Sequence, residues 1–86
     1  MRLNEFVYLV IIDEMNKELY PIGTRRSRAL EYVRRHRILQ FPIAAVYVGD
    51  RKKVLEEASQ FIKQFDETNW ENIKPMDTEE VLKLIR

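Results

Sequence analysis

Phe6-Val7-Tyr8-Leu9-Val10-Ile11-Ile12 is the stretch that decides how this chain folds. All but Leu9 are β-branched or aromatic, which favours a strand. No polar residue alternates with them, so both faces of that strand are expected to be covered, as in the middle of a sheet. Asp13-Glu14-Met15-Asn16 follows as a polar break of hairpin length. Lys17-Glu18-Leu19-Tyr20-Pro21-Ile22 is then expected to return beside the first strand. Pro21 has no N–H for a ladder, which places this second strand at an edge. Gly23 ends it.

Beyond the hairpin, residues 24–37 read as a helix starting at Thr24 or Ser27, either able to accept from the free N–H groups of a first turn. At 100° per residue, Ala29, Leu30 and Val33 share one face, suited to docking on a sheet. Arg28, Glu31 and Arg35 share the other, where Glu31 is expected to pair with Arg35 at i,i+4 and with Arg28 at i,i+3. Arg34 and Tyr32 flank the exposed face, while Arg26 and Arg37 lie nearer the core side.

Phe41-Pro42-Ile43-Ala44-Ala45-Val46-Tyr47-Val48 is the expected third strand, with Pro42 tolerated at its start. Gly49 ends it and Asp50 caps the next helix, from about Arg51 to Phe65, where Val54, Leu55, Ala58, Phe61, Ile62 and Phe65 recur at helical spacing. A connector carrying Trp70 leads to a short terminal helix, capped by Asp77 with Glu80 three residues on, and stapled by Met76 against Val81.

The expected fold is therefore a single α+β domain over residues 1–86. It is a small single-layer or two-layer sandwich with a three-stranded mixed sheet and two or three helices in the order β-β-α-β-α-α. The first strand lies in the middle. The second and third run parallel to each other, joined by a right-handed crossover that carries the first helix.

Composition narrows the function. Of 86 residues, 45% are apolar and 34% charged, and there is no cysteine. A disulfide framework and a thiolate metal site are excluded. A domain without such staples suits the cytoplasm. The longest apolar run, Phe6 to Ile12, falls far short of the roughly 20 residues of a membrane helix, so no membrane association is expected.

The net charge of +1 conceals an asymmetry. Residues 24–37 hold six of the nine arginines and a single acid, for +5, whereas the segments before and after each sum to −2. One basic element on a mildly acidic body points to an anionic partner. Arg25, Arg28, Arg34 and Arg35 are the candidate phosphate ligands, since a guanidinium matches phosphate oxygens bidentately. Tyr32 is the candidate base-stacking residue. The partner expected on these residues is DNA or RNA, with an acidic protein surface as the alternative. A solvated helix face gives the same charge run.

Other chemistries find little support. His36, the sole histidine, has no partner at metal-ligand spacing and stands among arginines that repel a cation. Glu56-Glu57 and Glu79-Glu80 are neighbours on helices, about 100° apart, and read as surface charges. Ser27 and Ser59 fit helix positions rather than a triad. Two glycines cannot build a phosphate-cradling loop. No catalytic residue, metal or cofactor is assigned. Trp70 reads as a cover over the core.

Phe6-Val7-Tyr8, Leu19-Tyr20-Pro21-Ile22-Gly23, the arginine-bearing helix and the following helix with Glu57 are laid out in a way that resembles GIY-YIG nuclease domains, across about residues 6 to 65. The first glycine of the family's pattern is absent, and proline stands between Tyr20 and Ile22. Glu31 stands where an arginine is expected, and Ala58 about where the metal-binding glutamate is. The resemblance implies, as an alternative function, a metal-dependent nuclease or degenerate relative using Tyr8, Tyr20, an arginine and Glu57. The reading preferred from the residues is a small non-catalytic binding or regulatory protein whose basic helix meets an anionic partner. A third is a self-associating module, a homodimer through a sheet face or the Pro21 edge.

Overall fold

The computed structural model describes residues 6–39, 42–66 and 68–85. Phe41 and the side chains of His36 and Arg37 lie outside the described residues. The chain forms β1 (Phe6–Asp13), β2 (Glu18–Arg25), α1 (Arg26–Leu39), β3 (Ile43–Gly49), α2 (Arg51–Lys63), a one-turn 3-10 helix at Trp70–Asn72, and α3 (Thr78–Ile85).

The sheet has the order β2-β1-β3, with β1 in the middle as its unbroken apolarity requires. The sheet is not mixed: both ladders are antiparallel. The outer strands do run in the same direction, but β1 separates them, so no parallel ladder forms. The first helix also begins later than its cap residues suggested. Thr24 and Arg25 continue β2, pairing with Val7 and Phe6, and α1 opens directly at Arg26.

Alternation along β1 sorts the core into two layers. Val7, Leu9 and Ile11 face α1 and α3, where they join Ala29, Val33, Val81, Leu82 and Ile85. Val10 faces α2 and packs with Ala45 and Ala58, flanked by Tyr8, Leu19, Tyr47, Phe61 and Ile62. Both faces of β1 are thus covered. Full burial of a side chain such as Leu9, Val33 or Ile85 stabilises the fold by about 1.5–3 kcal/mol each.

A bulge adjusts β3 to this division. Val10 pairs with Ala45 but Ile11 pairs with Ile43, leaving Ala44 as the extra residue. In a regular strand Ile43 and Ala45 would share a face. The extra residue turns Ile43 into the α1–α3 layer and Ala45 into the α2 layer.

Local chemistry shapes the connections. The Asp13 carboxylate accepts from the Met15 N–H at 3.1 Å, the Asn16 N–H at 3.2 Å and the Asn16 side-chain amide at 3.0 Å, closing the hairpin turn. Lys17 completes that turn at φ 53°. Asp50 caps α2, its side chain accepting from the Lys53 N–H at 3.4 Å. The Met76 N–H donates to the Ile43 carbonyl at 2.7 Å, tying the approach to α3 onto β3. Leu55, expected in the core by its spacing, is 44% exposed on the outer side of α2.

Candidate anion-binding surface

The basic helix is held down by the side it buries. Ala29 and Val33 are fully enclosed, and Leu30 and Tyr32 pack partly against the same core layer. Arg28, Glu31, Arg34 and Arg35 are left exposed. Because α1 lies beside β2 as well as α3, its exposed side forms one wall of a groove. Ile22, Gly23 and Thr24 of β2 supply the other wall, opposite Arg28, Glu31, Tyr32 and Arg35, and the groove encloses about 480 Å³.

The five residues expected to bind nucleic acid therefore do not all meet. Arg28, Tyr32 and Arg35 converge on the groove. Arg34 is exposed on α1 away from its lining. Arg25 belongs to β2, not to the helix. It lies two residues beyond Gly23, whose Cβ direction points at the Phe6 and Tyr8 rings, so alternation turns Arg25 toward the α2 side of the sheet. There its register partner Phe6 carries the Arg51 guanidinium 5.4 Å from the ring centroid. That second cation was not legible, since Arg51 shows in the sequence only as the opening residue of a helix.

Tyr32 is half-buried rather than free on the outer side, and burial raises its hydroxyl pKa above the ordinary value. It still lines the groove. Glu31 departs from expectation in the other direction. It stands at i+3 from Arg28 and i−4 from Arg35, yet forms no ion pair among the described residues. Arg25, Arg28, Arg34 and Arg35 likewise make none there. Among the described residues the groove thus presents Arg28, Arg35 and Glu31 without ion pairs, with Thr24 in its other wall.

The side chains implied by the nuclease resemblance fall apart by face. Tyr8 lies on the α2 side, next to Tyr47 and the α2 layer. Tyr20 pairs with Ile11 and therefore points to the opposite side, near the hairpin turn. The Asp13 charge, then that of Glu18, raises its hydroxyl pKa. Pro21 occupies the position of β2 that shares a face with Tyr8. Glu57 lies near Tyr47, whose pKa is raised by burial first and by the Glu57 charge second. Among the described residues no group of three His, Cys, Asp or Glu side chains could hold a metal ion. No described helix is long and apolar enough to cross a membrane.

No family model matches this chain. Comparison with curated proteins and with solved structures also returns no match.

A second hollow of about 360 Å³ lies at the far end of the α2 face, between Lys17, Glu18 and Leu19 of the hairpin and Ile62, Phe65, Asp66 and Trp70. Trp70 is half-buried there and lines the hollow, rather than joining the side chains packed on either core layer. The loop below it is braced by Asp66, which accepts from the Thr68 N–H at 2.8 Å, and by Asn69, whose amide donates to the Gln64 carbonyl.

Proposed function

We propose that this protein is a non-catalytic binding module that holds a nucleic acid against α1 through its phosphates. The observation that carries the reading is the pair Arg28 and Arg35 on one groove wall, exposed and without acid partners among the described residues. They stand seven positions apart, about 10.5 Å along a helix axis, enough to engage two separate phosphates of one backbone. Arg34 adds charge beside the groove. An acidic protein surface meets the same guanidiniums, and the two partners differ in how competition behaves.

Fluorescence anisotropy with labelled DNA and RNA oligonucleotides at two salt concentrations tests the proposal. Binding is expected to weaken steeply with salt, because each neutralised phosphate releases counterions. Replacing Arg28 and Arg35 by alanine should lower the slope of log K against log salt by about 0.7 per residue for a single strand. Equal binding by wild type and variant overturns the reading. A labelled acidic polypeptide that binds and that unlabelled polynucleotide fails to displace points to a protein partner instead.

The nuclease alternative has no comparable support. The layout of elements suits it, but Tyr8 and Tyr20 stand on opposite faces of the sheet. Incubation of the pure protein with plasmid and magnesium is the direct check, and no cleavage is expected.

A further inference from the structure

Resting on that reading, we infer that the groove takes a single strand rather than a duplex, and that Glu31 favours bases bearing an exocyclic amino group. The shape argues for the first part. A helix that reads a duplex enters a major groove about 12 Å wide with its contacting face standing out from the protein. Helix α1 does not, because it is flanked by β2 on one side and α3 on the other. Its side bearing Arg28, Glu31 and Arg35 instead faces Ile22, Gly23 and Thr24 of β2 across the groove. What it offers is a trough, and a flexible strand can follow a trough with its phosphates on one wall and its bases turned inward.

The charges argue for the second part. A groove built only to attract phosphate has no use for a carboxylate between its arginines. Glu31 repels phosphate, and it is not neutralised by Arg28 or Arg35 among the described residues. A carboxylate accepts hydrogen bonds only, so the group it suits is a donor, and the N4 amino group of cytosine is such a donor. Thymine and uracil present a carbonyl oxygen at the same position, which faces the carboxylate with no proton between them. Arg28 and Arg35 take the flanking phosphates while Glu31 takes the amino group of the base between. Half-buried Tyr32 lines the groove beside that base.

Oligo-dC and oligo-dT of equal length test this, being pyrimidines that differ mainly at the exocyclic group. Measurement at pH 8 keeps cytosine unprotonated. Wild-type protein should bind oligo-dC about tenfold more tightly than oligo-dT, within the range of a base-specific polar contact, and either one more tightly than a duplex of the same length. Glu31→Ala should bind oligo-dT more tightly than wild type, since a repulsive charge has gone, and the dC-to-dT ratio should fall to about one. Glu31→Gln keeps an accepting oxygen but adds an amide donor that thymine O4 can accept, so its preference for dC should shrink. Equal affinities of wild type for dC and dT overturn the inference, as does a ratio unchanged in Glu31→Ala or tighter binding of the duplex. Those results leave the phosphate-binding reading intact provided Arg28→Ala/Arg35→Ala still weakens binding. Failure of every oligonucleotide to bind overturns both.

Discussion

Gly23 and Gly49 occupy similar places near strand ends, and each excludes a side chain for a different physical reason. At Gly23 a Cβ would lie 2.7 Å from Cζ and 2.9 Å from Cε2 of Phe6, and 3.0 Å from Cζ of Tyr8. Those two rings meet edge to face, 5.5 Å apart, and lean over the glycine. At Gly49 the space is open, with Val54 at an ordinary 3.7 Å, but the backbone stands at φ 149°. Gly23→Ala is expected to destabilise by about 1–2 kcal/mol through overpacking, and part of that cost should vanish in a Phe6→Leu background. A double-mutant cycle by denaturant unfolding measures this coupling. Gly49→Ala is expected to cost about 1–3 kcal/mol as backbone strain, with no relief from trimming Val54. Lys17 gives the opposite sign. Its φ of 53° is a conformation that side chains resist, so Lys17→Gly should raise stability by about 1 kcal/mol.

At the scale of elements, the hairpin and the turn after α2 each hang on one carboxylate. Asp13 is held below its ordinary pKa by the Asn16 side-chain amide first, and by the Asn16 and Met15 N–H groups after it. Asp66 is held down by the Thr68 hydroxyl and N–H. A carboxyl whose folded pKa is depressed adds stability above its unfolded pKa, and that contribution disappears as pH falls through the folded value. Carboxyl titration by NMR should therefore place both groups below free aspartate, with the hairpin amides shifting together as Asp13 protonates. An ordinary titration at Asp13 would show that its side chain does not close the turn.

The sequence and the elements agree where burial is one-sided or total. Seven apolar residues at Phe6–Ile12 could only be a central strand, and the acid at Asp50 before an amphipathic run could only open α2. Agreement fails where a choice depends on neighbours. Leu55 fits a core spacing, but α2 crosses a narrow strip of sheet that Val54, Ala58, Phe61 and Ile62 already fill. The bulge at Ala44 has no sequence signal, because alanine suits either face. Thr24 and Arg25 have helix-starting and helix-favouring chemistry, yet pairing with Val7 and Phe6 draws them into β2. That last difference splits the candidate site. Five residues that look contiguous on one helix become a groove of Arg28, Tyr32 and Arg35, an outlying Arg34, and an Arg25 on the far side of the sheet. Glu31, which looks like a local ion-pair partner, instead stands inside the groove.

Over the whole molecule, the layer under α1 depends on the last helix. Val81, Leu82 and Ile85 of α3 are buried against α1 and β3, in the core layer they share with Val7, Leu9 and Ile11 of β1. Ile85→Ala should cost about 2–5 kcal/mol. With about 4–8 °C of melting temperature per kcal/mol in a domain of this size, calorimetry should show a loss of about 8 °C or more. Leu84→Ala, at an exposed position of the same helix, should change it little. The contrast tests whether α3 is part of the core or an appendage to it.

The two borders of the sheet have a further consequence. Along β2 the donor missing at Pro21 interrupts the outer row of amides, and at the start of β3 the Ile43 carbonyl is already engaged by Met76. An incoming chain that tried to lengthen the sheet would find a gap on one flank and an occupied acceptor on the other. Concentrated solutions should accordingly resist fibre growth, and Pro21→Thr should speed the appearance of dye-binding ribbons under agitation. If the proline and threonine forms fibrillise at the same rate, something other than that missing donor keeps the molecules apart.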